Sequence, residues 1–331
     1  MQSKSPPSSD IKQPALGEQR VLFVVGKGGV GKSVITTSLG LAAAARGERV
    51  CIAEMNGAES VSTLLGCPPV GYPATKVAER LDAISISPDK ATEDYLVRAL
   101  RFRKLYDLVF RNRYIEPFMN GILGLSDLCS IGKIMDLEWQ REDGSYGPDS
   151  KGPYRYDRIL VDCPATGHGL ALLRAAQTMM DVTRAGPLYN NSAMIADLLE
   201  DRSKTAVLLV TLPEEMPVTE TLESVTSLRS DMNIALNGIV INAVPKALAS
   251  SKDLQAFWSD LVIEASALGG HAAAAARHGV ERRQRRGQAD AYIARLSSGS
   301  RLPVLELPKI SGSLGIDELH QLGALLEGWQ Q

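Results

Sequence analysis

The sequence predicts an α/β fold: an open, mostly parallel sheet with helices on both faces and an inserted helical subdomain. Three observations predict it. Short runs rich in Val, Ile and Leu recur at 21–25, 49–53, 83–87, 158–161, 206–211, 238–241 and 304–307. Most are continuously apolar rather than alternating, the pattern of strands buried on both faces of a parallel sheet. Helix-length stretches at 33–46, 218–230 and 252–267 lie between such runs, and strand–helix alternation builds a parallel sheet because each crossover needs a helix. From Asp89 to about Trp139 no strand pattern occurs, while Leu96, Leu100, Leu105, Leu108 and Val109 fall at helical spacings.

In order along the chain, residues 1–18 are rich in Ser, Pro and polar groups and read as a flexible lead. Residues 19–330 then read as one domain, with 89–139 as the helical insertion. A polar loop, 140–156, with three glycines and two prolines, leads back to the next strand.

Composition narrows the function classes. The 331 residues are 44% hydrophobic and 22% charged, with a net charge of −2. That excludes whole-chain disorder and any strong overall field for nucleic acid or acidic membranes. No apolar run nears the roughly 18–20 residues of a membrane helix, and the N-terminus lacks an apolar signal-type stretch. Cys51, Cys67, Cys129 and Cys163 are scattered and form no CxxC, which argues against a disulfide scaffold or a paired-cysteine zinc site. The expectation is a soluble cytoplasmic protein.

The chemistry is concentrated at Gly26-Lys27-Gly28-Gly29-Val30-Gly31-Lys32-Ser33. The block follows an apolar strand and precedes an Ala/Leu-rich helix, the context a phosphate-binding P-loop requires. Its glycines let successive backbone N–H groups face phosphate oxygens, and the helix N-terminus adds partial positive charge. Gly28, Gly29, Val30, Gly31, Lys32, Ser33 and Val34 are the candidate nucleotide-binding residues. Lys32 is placed to reach β- and γ-phosphates and Ser33 to bind Mg²⁺. Lys27 is an additional lysine. It is either a solvated loop-tip side chain or a group that reaches phosphates bound by a facing subunit, which predicts a homodimer closed over nucleotide.

The deviant form KGGxGKS resembles the P-loop of the MinD/ParA/nitrogenase-iron-protein class. A second block, Arg158-Ile-Leu-Val-Asp162-Cys-Pro-Ala-Thr166-Gly167-His168, is similar to the D-x-x-P-T-G-H switch II of the ArsA/GET-pathway ATPases, with the proline shifted by one place. The resemblance covers about residues 20–330. It implies a P-loop NTPase sheet, ATP and Mg²⁺ as ligands, and ATP hydrolysis. It makes Asp162, expected at the end of a buried strand, a second metal residue acting through water and Thr166, Gly167 and His168 a moving switch. It also implies that Asn242, ending the run Gly238–Asn242, reads the adenine edge, an amide offering both a donor and an acceptor. Pro308, Lys309 and Ile310 resemble the family's adenine loop, and Thr211–Glu214 another family segment.

Departures from the pattern carry their own expectations. The family's switch I acid, Asp of D-P-A-H, aligns with Asn56. An amide holds water but does not take its proton at neutral pH. Hydrolysis is therefore expected to be slow unless Glu54 or Glu59 substitutes; the catalytic candidates are Lys27, Lys32, Asn56 and Glu54. The single P-loop and scattered cysteines disfavour an arsenite-pump role and a zinc-clasped dimer.

Phe102, Tyr106, Phe110, Ile115, Phe118, Met119, Ile122, Leu123 and Leu125 in the insertion either pack on the domain or form an apolar groove for a hydrophobic client or partner protein, to which Met179 and Met180 could add. Arg282, Arg283, Arg285 and Arg286 read first as a solvated helix face, and less favourably as a contact for membrane or nucleic acid. Two competing readings are a MinD/ParA-like localisation ATPase using such a patch, and a nucleotide-bound scaffold with little turnover.

Overall fold

The computed structural model describes residues 19–55, 59–100, 124–247 and 270–329. Its spine is strand β1 (Val21–Gly26), all six residues buried. Val21, Phe23 and Val25 face one apolar layer and Leu22 and Val24 the other, which is why the run shows no polar alternation. The other strands are β2 (Val50–Met55), β3 (Thr75–Ala78), β4 (Leu81–Ile86), β5 (Arg158–Ala165), β6 (Thr205–Thr211), β7 (Leu236–Val244) and β8 (Val304–Pro308). They form one eight-stranded sheet in the order β3-β4-β2-β5-β1-β6-β7-β8. Every pairing is parallel except β3 with β4. This is the α/β architecture of a P-loop NTPase.

Each of the seven apolar runs forms a strand. The short antiparallel edge strand β3 has no counterpart in the sequence reading: its four residues are exposed or half-buried and carry no apolar run. Asp162 does not end its strand. β5 continues to Ala165, and a register shift opposite β1 pairs Val24 with Asp162 and then Gly26 with Ala165.

One face of the sheet is covered by α1 (Lys32–Ala45), α2 (Ser60–Leu65) and α9 (Ile316–Gly328), which bring Ile35, Leu39, Val61, Leu319, Leu322 and Leu326 onto Leu22, Ile52 and Leu208. The opposite face is covered by α4 (Leu125–Trp139), α5 (Thr166–Thr183), α6 (Pro187–Glu200), α7 (Glu215–Ser230) and α8 (Gly270–Ser300). Fully buried side chains such as Phe23, Ile52 and Ile159 each contribute about 1.5–3 kcal/mol relative to exposure.

Within the expected insertion, α3 (Pro88–Leu100) and α4 are helical and pack together. Lys133 of α4 donates to Asp94 of α3 at 2.9 Å. Leu125 is a core residue, 3% exposed. The other groove candidates of the insertion, Phe102, Tyr106, Phe110, Ile115, Phe118, Met119, Ile122 and Leu123, lie outside the described residues, as do the 1–18 lead and the helix expected at 252–267. Met179 is buried in the core, so it is not a groove residue; only Met180 is half-buried. The 140–156 loop is closed by an antiparallel bridge between Arg141 and Tyr154, whose ring is covered by the guanidinium groups of Arg20 and Arg141.

Candidate functional site

The carboxyl ends of β1, β2, β5 and β7 converge on the loop 26–33, at the point in the sheet where connections diverge to either side of β1. Gly26 ends β1 with no room for a side chain: a Cβ there would lie 2.1 Å from the Val210 carbonyl oxygen. Gly31 caps α1 with φ +93°, a left-handed conformation that glycine adopts without Cβ strain. Gly28 and Gly29 are exposed at the tip, Val30 is buried beneath it and Val34 half-buried behind it.

Lys32 is 9% exposed and donates to its own loop, Nζ to the Lys27 carbonyl at 3.0 Å. Burial lowers its pKa, with Asp162 opposing. Ser33 Oγ donates to Asp162 Oδ2 at 2.5 Å. Burial pushes the Asp162 carboxyl up to about 6 against the Ser33 hydrogen bond and the Lys32 charge, and the neighbouring Glu54 adds to the rise. Glu54 and Asp162 are register partners on β2 and β5. Glu54 is fully buried, and its Oε1 accepts the Val61 N–H at 2.8 Å at the start of α2. Burial raises its pKa also. Asp162 Oδ1 and Glu54 Oε2 are buried without a hydrogen-bond partner.

The bare Asp162 oxygen and the Ser33 hydroxyl that Asp162 binds are oxygen donors of the kind a hard divalent cation takes. The residues therefore fit Mg²⁺: Ser33 and Asp162 would hold it, with Glu54 next to them.

The base-side residues lie across β1. Asn242 Nδ2 donates to the Val30 carbonyl at 2.9 Å, and Oδ1 accepts the Ala243 N–H at 2.8 Å. The adenine candidate thus braces the phosphate loop. Pro308 pairs with Val244, and the Lys309 N–H donates to the Val244 carbonyl at 2.8 Å. This keeps Pro308, Lys309 and Ile310 beside the end of β7. Glu214 of the Thr211–Glu214 segment caps α7.

Thr166, Gly167 and His168 form the first turn of α5, directly after β5. His168 Nε2 lies 3.5 Å from Asp127 Oδ1 on α4. Asn56 falls outside the described residues; Glu59 caps α2 with φ +47°. Arg286 does not extend into solvent as part of a uniform basic face: it pairs with Asp290 at 2.8 Å and Glu306 at 3.0 Å, while Arg282 and Arg285 are exposed.

Sequence reasoning missed two contacts. Lys27 Nζ pairs with Glu220 Oε1 on α7 at 2.6 Å, and His168 meets Asp127. Neither partner carries a motif; only the fold brings them together. Among the described residues, no helix is long and apolar enough to cross a membrane.

Comparison with known proteins gives the family. The model of the anion-transporting ATPase family matches residues 19–186 and 186–260. The ATPase BagA of Mycobacterium tuberculosis is 28% identical over 322 residues, 93% of this chain and 92% of its own. A putative arsenical pump-driving ATPase of Halobacterium salinarum is 24% identical over 327 residues, 94% of this chain but 45% of its own length. The arsenical pump-driving ATPase of Escherichia coli is 26% identical over 263 residues, 71% of this chain and 41% of its own.

Proposed function

This chain belongs to the anion-transporting ATPase family and is an ATP-binding ATPase of that group, and from that premise we propose that it is a homodimeric, Mg²⁺-dependent enzyme. It hydrolyses ATP slowly and acts as a nucleotide-gated switch for a client or partner protein. The observation that carries the reading is the pairing of Ser33 with Asp162 at 2.5 Å, the other Asp162 oxygen being buried without a partner.

On this reading the N–H groups of Gly28–Ser33 cradle the phosphates and Lys32 leaves the Lys27 carbonyl to contact the γ-phosphate. Mg²⁺, when bound, supplies positive charge to the phosphate oxygens. The attacking water forms a bond to the γ-phosphorus as the bridging P–O bond to ADP breaks. Asn56 orients that water. Glu54, whose burial raises its affinity for a proton, substitutes only in part for the acid that Asn56 lacks, so turnover is slow. Lys27 acts on nucleotide in the partner subunit. Thr166–His168 carry the nucleotide state to the helices where the client docks, which requires ATP to favour one conformation over the other.

Sedimentation with a non-hydrolysable ATP analogue should give a dimer, and Asn56→Asp should raise steady-state phosphate release. Fast turnover that survives loss of both Glu54 and Glu59 would sink the catalytic assignment. The scaffold reading also rests on Asn56, so on it Asn56→Asp should raise hydrolysis sharply, and no change would count against it. The exposed Arg282 and Arg285 leave one further reading, a localisation ATPase; ATP-dependent binding to anionic vesicles or DNA, lost at high salt, would support it.

A further inference from the structure

The strand β5 carries Asp162 into Thr166 without slack. It ends at Ala165 and α5 begins at the next residue. Gly169 packs so closely on the strand end that a Cβ there would sit 3.2 Å from the Pro164 carbonyl oxygen. No loop lies between the metal-side carboxylate and the first turn of α5 to absorb a displacement. In that turn stands His168, its side chain about half exposed, with Nε2 3.5 Å from Asp127 Oδ1. Asp127 occupies the first turn of α4 and is only 17% exposed.

Beyond this contact α4 is well anchored. It buries Leu128, Ile131 and Ile134, and Lys133 binds Asp94 of α3. A shift at Asp127 is therefore imposed on both helices rather than dissipated in one side chain. A partly exposed His–carboxylate contact holds weakly, which suits a contact that is made in one nucleotide state and released in another.

We propose that Asp127 is a positioning residue that couples the nucleotide state of the P-loop to α4 by holding His168. The inference rests on the nucleotide-switch reading above and names the pair of side chains through which the switch acts. The coupling is a difference in the His168–Asp127 contact between two states, and it acts reciprocally.

Hydrogen exchange on the full chain, with and without Mg²⁺ and a non-hydrolysable ATP analogue, tests it. In the parent protein, nucleotide should slow exchange at 26–45 and change exchange at 124–139. In Asp127→Asn, the protection at 26–45 and the nucleotide Kd should stay within about twofold, while the response at 124–139 falls at least about threefold. Asp127→Glu should restore most of the response.

Asp127 also places an acid in the first turn of α4, where it favours the helix dipole. The double variant Ser126→Asp with Asp127→Asn returns that charge to the exposed neighbouring position and serves as the working variant if Asp127→Asn alone melts. It should keep the helix and still lack the response. An undiminished response at 124–139 in both Asn variants overturns the coupling, as does P-loop protection in the parent with no response there. No protection at 26–45 in the parent overturns the nucleotide reading itself, and the coupling with it.

Discussion

Lys27 Nζ lies 2.6 Å from Glu220 Oε1 across the gap between the phosphate loop and α7, and both side chains are about one-third exposed (31% and 33%). The lysine that the sequence leaves as either a solvated loop tip or a group for a facing subunit is thus paired within its own chain. A pair this accessible contributes at most about 1 kcal/mol, so it is easily exchanged for a phosphate. Glu220→Gln should free the lysine and tighten nucleotide-dependent dimerisation up to about fivefold. Lys27→Ala should abolish that dimerisation and leave monomer nucleotide binding in place. Analytical ultracentrifugation with a non-hydrolysable analogue distinguishes the two; a Glu220→Gln protein that dimerises less well would show that the pair preorganises the lysine instead.

Asp162 sets a pH dependence of known sign. Its folded-state pKa is raised from 3.8 to about 6, chiefly by burial. Its contribution to the stability of the nucleotide-free fold is therefore full below 3.8 and lost as pH rises through about 6. At neutral pH, the ionised carboxylate costs up to about 3 kcal/mol. Asp162→Asn should raise the melting temperature of the nucleotide-free protein at pH 7.5, with little gain at pH 4, and should abolish Mg²⁺-dependent nucleotide binding. Parent and variant must be compared at each pH, because Asp157, held low by Arg49, contributes with the opposite sign. A variant less stable than the parent at pH 7.5 refutes the account.

Gly31→Ala tests the loop. The added Cβ meets Asn242 Nδ2 at 2.3 Å, at a φ of +93°. A left-handed alanine costs about 1–2 kcal/mol, and displacing the amide removes its hydrogen bond to Val30. ATP affinity by calorimetry should fall more than about tenfold, on the order of 1.4 kcal/mol. Asn242→Ala removes the brace at Val30 for both nucleotides and the base contact for ATP, so affinity for ATP should fall more than affinity for GTP. Equal loss for both nucleotides would mean that Asn242 matters only as the loop's brace.

Glu54→Gln separates chemistry from architecture. The amide oxygen still accepts the Val61 N–H, so nucleotide affinity should change little. Turnover should fall roughly 100-fold or more if the carboxylate takes the water's proton. Single-turnover phosphate release measures it directly, and unchanged turnover removes Glu54 from the reaction.

The sheet was legible because its inner strands are apolar on both faces: Val21–Val25 and Ala206–Thr211 need no neighbour to be recognised. β3 was not, because Thr75–Ala78 is a half-exposed edge whose pairing depends on β4. The phosphate loop was legible because a local strand–loop–helix sequence builds it. Glu54 was noticed as an acid near switch I. Its register with Asp162 and its bond to α2 arise only when β2 lies beside β5. Met179 illustrates the reverse failure: a methionine pair has the same composition on a surface or in a core, and packing against the sheet decides. Glu220 and Asp127 were invisible for a related reason, each being an ordinary helical acid until a distant side chain, Lys27 or His168, is folded against it.

The strand order has a consequence for how such a protein can change over time. The phosphate-side acids Glu54 and Asp162 stand on β2 and β5, to one side of β1; Asn242 and Pro308–Ile310 stand on β7 and after it, to the other. Only the loop after β1 is common property. On the proposed reading, nucleobase preference and hydrolytic rate are separately heritable traits. A duplicated copy could drift toward another base through substitutions near β7 and β8 while keeping its reaction intact, or fall silent as an enzyme through β2 and β5 while remaining faithful to ATP.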